Sequence, residues 1–425
     1  MEHSGKFLIK GGRKLSGEID IMGSKNAATP ILAATLLTSE ECIIDNIPLI
    51  EDVFRLIEIL KHLGAEADFI GKRKLKIRAR NIDVGRLNNA GVGKLRSSVL
   101  LMGPLLARFR KIQTKNPGGC LIGNRPLDTH LEAFVDLGAK IAPNGNNLDI
   151  ILKNKPKDEI VLKEFSVTAT ENVLMFASLM PQRTIIKIAA MEPHVRDLIK
   201  FLRAMGVKIK LLDSHTIEVV GVKKLRGAKH KIIPDQIEAG TFLIIGALIG
   251  SDILVKNCRI DHLDLILKKL KEFNIDYKFE KRRGNFADIR IKTNYPLRAA
   301  KVQAMPYPGI PTDLQSIFGV LATQAQGTSM IHDPLFEGRF KYLDELVKMG
   351  ANVVVCDPHR ALITGRTQLQ GTNITSYDLR AGASLIIAGL IASGETVIND
   401  AYQVDRGYER IEERLQKLGA DITRI

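Results

Sequence analysis

The sequence predicts an α/β fold built from six copies of one unit, each roughly strand–helix–strand–helix–strand–strand. Three observations predict it. An amphipathic stretch that closes on Leu-Gly-Ala or a variant, followed by a short strand, recurs with its anchor at Gly64, Gly138, Gly206, Asn274, Gly350 and Gly419. The anchors stand about 70 residues apart, beyond the 20–50 residues of common solenoid repeats, which argues for a closed pseudo-symmetric assembly over an open superhelix. The anchors are Gly or Asn, the residues that tolerate the left-handed conformation at a helix C-terminus. Finally, runs rich in Ala, Gly and Leu recur upstream of the anchors and carry no polar stripe, so they read as helices buried on nearly all sides.

In chain order, 29-TPILAATLLTSEECIIDNIP-48 reads as a buried helix, a turn and a strand, and 60-LKHLGAEADF-69 closes the first copy. The second has an apolar helix in 94-KLRSSVLLMGPLLARF-109, opened by Arg96, and closes at 134-FVDLGAKIA-142. The third closes at 201-FLRAMGVKIKLL-212. The fourth repeats the first pattern in 239-AGTFLIIGALIGSDILVKNCR-259 and closes at 270-LKEFNIDYKF-279. In the fifth, a proline-rich approach, 306-PYPGIPTDLQSIFGVLA-322, leads into a helix, and 345-ELVKMGANVVV-355 closes it. The sixth runs through 382-GASLIIAGLIASGETVINDAY-402 to 415-LQKLGADITRI-425. At roughly 100–200 residues per domain, six units divide naturally into two domains of three.

Composition narrows the function. The four cysteines, Cys42, Cys120, Cys258 and Cys356, form no CxxC pair and no metal-ligand spacing. The histidines, His62, His130 and His194 among them, show no HExxH or other paired spacing, and there is no GxxxxGK[ST] loop and no dinucleotide fingerprint. No metal and no cofactor is expected. The opening MEHSGKFLIKGGRK lacks the apolar core of a secretory signal. The longest apolar run, near 242-FLIIGALIG-250, is far below the roughly 18–20 residues of a membrane span. The expectation is a cytoplasmic protein with free thiols and no membrane insertion. A formal net charge of +15 fits nucleic acid, a multiply anionic small substrate or a merely basic surface. The charge is spread along the chain, with no Trp and no basic tail. That favours a field drawing in phosphorylated small molecules over nucleic acid.

Five stretches depart from the repeat and are candidate sites. In 20-DIMGSKNAATPILAA-34, Ser24, Lys25 and Asn26 precede a helix whose N-terminal N–H groups suit an anion; an N-cap serine followed by a solvated lysine fits the spacing as well. Arg96 is a second candidate, or a surface arginine. In 116-NPGGCLIGNRPLD-128, glycines around Cys120 allow tight turns and motion, and Arg125 nearby favours thiolate; the thiol is either incidental or catalytic. Asp313, after three prolines, is either an acid complementing a helix dipole or a fixed general base. Arg339, Arg380 and Arg406 each read as a surface ion pair when taken alone. Converging, they would bind a substrate bearing carboxylate and phosphate.

Together, GSKNAATPILAA, LRSS with GPLLARF, PGGCLIGNRPLD, PYPGIPTDLQ, DLRAGASL and VDRGYERIEERLQKLGA, in this order, closely resemble the UDP-N-acetylglucosamine 1-carboxyvinyltransferase family, enolpyruvyl transferases of peptidoglycan precursor synthesis. The resemblance runs from near residue 20 to the C-terminus. It implies a two-domain inside-out α/β barrel of six βαβαββ repeats, with residues 1–24 and 236–425 forming one domain and 25–235 the other, and a cleft between them closed by the Cys120 loop as a lid. It implies transfer of the enolpyruvyl group of phosphoenolpyruvate to the 3′-hydroxyl of UDP-N-acetylglucosamine, with loss of phosphate by addition and elimination, and a thiol sensitive to the epoxide fosfomycin.

By the same resemblance Cys120 is the general acid, Asp313 the base, and Lys25, Arg125 and Arg406 hold phosphate. Asn26 supports the tetrahedral intermediate, and Arg339 and Arg380 bind the carboxylate side. Arg96, Arg125, Pro126, Leu127, Asp128, Thr129, Ser166, Val167, Asp313 and Leu335 line the sugar-nucleotide pocket. The chain departs from the family pattern at Leu49, Glu164, Thr168 and Gly338. Two other functions remain: a transferase like 5-enolpyruvylshikimate-3-phosphate synthase, against which the PGGC loop argues, and a catalytically silent paralogue that binds UDP-sugars. Acceptor choice separates the first, and phosphate release the second.

Overall fold

The computed structural model describes residues 5–89, 91–115 and 126–425. They form a mixed α/β protein of two compact units: one holds 5–22 and 234–425, the other the described residues of 23–115 and 126–233. Each has its own apolar core. One core runs from Ala27 to Ile233, the other from Phe7 to Ile21 and from Ile237 to Ile422.

The described strands make three sheets in each unit. In the second unit their orders are Lys229–Lys231, Cys42–Asp45, Lys74–Arg78, Glu66–Gly71; then Lys111–Lys115, Asn147–Leu152, Ala139–Asn144; then Lys208–Asp213, Thr216–Val220, Arg183–Lys187, Glu159–Val161. In the first unit they are Asn373–Thr375, Glu395–Asn399, Phe7–Lys10, Asp421–Arg424; then Ile275–Arg283, Phe286–Thr293, Gly250–Arg259, Leu15–Asp20; then Val302–Gln303, Gly327–His332, Arg360–Gly365, Asn352–Asp357. Every four-stranded sheet has one parallel pair at an edge and two antiparallel pairs beside it. Parallel neighbours need a crossover rather than a hairpin. A buried helix supplies it in three cases: Val167–Ala177, Gln315–Thr323 and Leu379–Ile391.

The helices come in two kinds, as their composition requires. Gln315–Thr323 is buried at every position, Leu379–Ile391 at all but its last, and Gln236–Ile249 from Ile237 to Ala247. These three pack on one another, and their small residues allow close approach. Glu51–His62, Pro193–Ala204 and Lys341–Lys348 bury one face only. The six anchors at Gly64, Gly138, Gly206, Asn274, Gly350 and Gly419 all have positive φ, the conformation that ends a helix and turns the chain into the next strand.

One expectation is corrected. Arg96 opens a 3-10 turn, Arg96–Leu101, and the α-helix begins at Met102. Pro104 has no N–H to give the carbonyl of Leu100, which removes one α-helical hydrogen bond at the junction between the two turns. Among the described residues no helix is long and apolar enough to cross a membrane, and no cluster of three or more His, Cys, Asp or Glu side chains could hold a metal ion.

Candidate active-site residues in each unit

In the second unit the candidates gather at helix starts. The helix Lys25–Ala34 is capped by Ser24, whose Oγ accepts the Ala27 N–H at 3.4 Å. Lys25 and Asn26 are thus its first two residues, one step further into the helix than the sequence implied. The turn before them needs a glycine for space. A Cβ on Gly23 would stand 1.9 Å from the backbone oxygen of Asn46. Gly23→Ala is expected to cost about 1–3 kcal/mol, as overpacking does, and to shift Ser24 and Lys25. Urea denaturation checks the first effect and a structure of the variant the second.

Lys25 is not a solvated lysine. Its Nζ lies 2.7 Å from Asp52 Oδ2, and both side chains are largely buried. Asp52 stands in the first turn of Glu51–His62, where its sequence signal is that of any acid complementing a helix dipole. That is why the pairing was not legible.

The helix Lys25–Ala34 and the helix Val167–Ala177 both pack against the Arg96–Leu101 turn, and Arg96 is half-buried. Ser166 caps Val167–Ala177 by accepting the Ala169 N–H at 3.4 Å. Two stretches expected to line one pocket do meet. Thr129 Oγ1 donates to Glu164 Oε1 at 3.1 Å, and His130 Nε2 lies 2.9 Å from Thr168 Oγ1. Glu164 and Thr168 are therefore tied to the 126–130 segment by side-chain hydrogen bonds. Pro126 and Asp128 are exposed, Leu127 and Thr129 buried. Cys120 and Arg125 lie outside the described residues.

In the first unit three distant stretches converge on Asp313. This residue sits in a 3-10 turn, Thr312–Leu314, at the head of Gln315–Thr323. Arg339 Nη2 donates to Asp313 Oδ1 at 2.8 Å, and Arg380 Nη2 stands 3.1 Å from Oδ2. Arg380 is in the first turn of Leu379–Ile391, where Asp378 Oδ1 accepts its backbone N–H at 2.8 Å. Ser316 Oγ donates to the Arg380 carbonyl at 3.2 Å, which ties the two helix starts together.

These arginines are not surface ion pairs. Arg339 is 9% exposed, Arg380 2% and Arg406 7%. Arg380 lies over the Tyr408 ring, 5.2 Å from its centre, and Tyr408 Oη is 2.9 Å from Thr241 Oγ1. Burial pulls the Arg380 guanidinium down, but the Asp313 carboxylate and Tyr408 outweigh it and hold it charged. Arg406 Nη1 donates to Gln403 Oε1 at 3.1 Å. Leu335 is exposed at its side chain, with its N–H donated to Asp333 Oδ1 at 3.0 Å.

The cluster sets the Asp313 carboxylate between two guanidiniums, and the Asp235 and Asp333 carboxylates also act on Arg380 and Arg339. Arg380 Nε and Nη1 and Arg339 Nε find no acceptor among the described residues. A buried donor left unpaired costs about 1–3 kcal/mol.

Comparison with known proteins is consistent across methods. The EPSP synthase (3-phosphoshikimate 1-carboxyvinyltransferase) family matches residues 9–415. The chain is 41% identical over 423 residues to a UDP-N-acetylglucosamine 1-carboxyvinyltransferase of Koribacter versatilis, covering 99% of this chain and 96% of the relative. It is 42% identical over 420 residues to UDP-N-acetylglucosamine 1-carboxyvinyltransferase 1 of Caldanaerobacter subterraneus subsp. tengcongensis, covering 99% of each. Among solved structures, the enolpyruvyl transferase NikO of Streptomyces tendae superposes with a TM-score of 0.86 at 24% identity, over 99% of both chains. An EPSP synthase of Acinetobacter baumannii superposes at 0.78 and 19% identity, over 99% of this chain and 100% of that one. At those identities the superpositions speak for the fold.

Proposed function

This chain belongs to the EPSP synthase family and, within it, to the UDP-N-acetylglucosamine 1-carboxyvinyltransferases, and from that premise we propose that it transfers the enolpyruvyl group of phosphoenolpyruvate to the 3′-hydroxyl of UDP-N-acetylglucosamine. Phosphate is released, and the product enters peptidoglycan precursor synthesis. The observation that carries the reading is the buried Asp313–Arg339–Arg380 cluster with its unpaired guanidinium N–H groups. It suits the carboxylate of phosphoenolpyruvate, which these arginines would hold beside Asp313, the base of the reaction.

The steps follow from the substrates. A proton delivered to the methylene carbon makes C2 electrophilic. The sugar hydroxyl attacks C2 as its proton passes to Asp313, forming a tetrahedral ketal. A proton then leaves the methyl carbon, the C–O bond to phosphate breaks, and the double bond returns. Cys120 is assigned the first proton and help to the departing phosphate. Lys25, Arg125 and Arg406 are assigned the phosphate, and Asn26 the tetrahedral intermediate. Arg96, Arg125, Pro126, Leu127, Asp128, Thr129, Ser166, Val167, Asp313 and Leu335 are assigned the sugar nucleotide. The Lys25–Asp52 pair supports the phosphate role, because it fixes the lysine at the start of the helix Lys25–Ala34.

The two units serve as the enzyme's domains, 1–24 with 236–425 and 25–235, each an inside-out α/β barrel of three βαβαββ repeats. The sheets with one parallel edge pair and the all-buried helices support that reading. The reading assigns the reaction to the cytoplasm and calls for no cofactor or metal. Product analysis tests the proposal. Incubation with both substrates should convert UDP-N-acetylglucosamine to its enolpyruvyl ether, seen by mass spectrometry, with one phosphate per product. Unchanged sugar nucleotide in a folded, nucleotide-binding protein would favour the silent paralogue.

A further inference from the structure

We propose that Asp333 is a positioning residue for this reaction, one carboxylate that sets both Asp313 and its partner Arg339. The inference rests on the transferase reading above and adds to it a residue that acts on Asp313 through its neighbour Thr312.

Asp333 follows the strand Gly327–His332 and is fully buried. A buried carboxyl must be satisfied on both oxygens, and the way this one is satisfied carries the argument. Oδ2 accepts the hydroxyl of Thr312 at 2.5 Å. Thr312 is the neighbour of Asp313 in the same 3-10 turn. Oδ1 accepts the Leu335 N–H at 3.0 Å, and the Phe336 N–H also faces the group. Those residues start the turn that delivers Arg339, whose guanidinium lies over the Phe336 ring, 5.4 Å from its centre.

Asp333 is itself immobile. Its N–H donates to the His359 carbonyl at 2.8 Å, and its carbonyl lies 2.7 Å from His359 Nδ1. The register Gln303↔His332 fixes the end of its strand against the parallel neighbour. One fixed carboxylate thus reaches the Asp313 turn with one oxygen and the Arg339 turn with the other. Burial raises the Asp333 carboxyl from its ordinary value, and the hydrogen bonds from Thr312 and Leu335 pull against that, so the group depends on these two donors. A residue needed only for packing would gain nothing from charge at this depth, where an apolar side chain costs less.

The test uses the full chain and the rate of phosphate release. Thr312→Val removes the hydroxyl and keeps the shape; Thr312→Ser restores the hydroxyl. Thr312→Val should lower kcat by roughly 10- to 100-fold, the scale of a misplaced catalytic group, in a protein that still folds, with a urea midpoint lowered by the loss of one buried hydrogen bond. Thr312→Ser should recover most of the loss, which a packing role for the side chain would not produce. Asp333→Ala should lower kcat at least as far, and adding Thr312→Val to it should cost nothing more, because both remove the same link. Should Asp333→Ala fail to fold, the threonine pair decides alone. Full kcat in Thr312→Val, or no recovery in Thr312→Ser, would overturn the proposal while leaving an active wild type as a transferase. A wild-type chain that releases no phosphate would overturn the transferase reading and this inference with it.

Discussion

Asp313→Asn will lose turnover by roughly 10²- to 10⁴-fold, the range that a general base contributes. The amide matches the carboxylate in shape, so the loss reports chemistry rather than packing. Both oxygens of Asp313 are engaged, one by Arg339 and one by Arg380. An amide offers one acceptor to these two donors and turns its own NH₂ toward the other guanidinium, so one pair is lost and Arg380, fully buried, keeps its charge without a full partner. Breaking a buried ion pair costs about 3–5 kcal/mol. The Asp313 side chain is 21% exposed, which puts the cost at the lower end. The checks are kcat from phosphate release and a urea unfolding curve on the same preparation. Near-normal turnover in the folded variant would remove Asp313 from the proton path.

Cys120→Ala will keep the fold and substrate binding and lose most turnover, again by roughly 10²- to 10⁴-fold. The other thiols cannot replace it. Cys42 and Cys258 are buried. Burial pushes the Cys42 thiol up to about 11 and the Cys258 thiol higher still, so neither supplies thiolate near neutral pH. Cys356 is exposed, and it serves as the internal control for simple accessibility. Fosfomycin should add one mass increment at Cys120, faster with UDP-N-acetylglucosamine present. Labelling of Cys356 in its place would mean that exposure alone governs reactivity, and the acid role would fall.

The inner helices were legible because their signal is local: a helix without a polar stripe has to be buried. The six turn anchors were legible for the same reason, since a positive φ selects Gly or Asn at a single position. The Asp313 cluster was not. Its three members stand on separate stretches, and each arginine alone reads as a surface residue; only the fold shows that Arg339 and Arg380 are buried and share one carboxylate. Lys25 was identified, but its partner Asp52 was hidden behind an ordinary helix-start signal. Asp333 left no trace, because its value lies in reaching Thr312 and Leu335 at once. The Arg96 turn was misjudged because nothing in the residue spacing marks the change from 3-10 to α-helix at Met102.

The most direct measurement is phosphate release from phosphoenolpyruvate with either UDP-N-acetylglucosamine or shikimate 3-phosphate as acceptor. The account predicts release with the sugar nucleotide alone. Release with shikimate 3-phosphate alone would contradict the acceptor assignment, and release with neither would contradict the transferase.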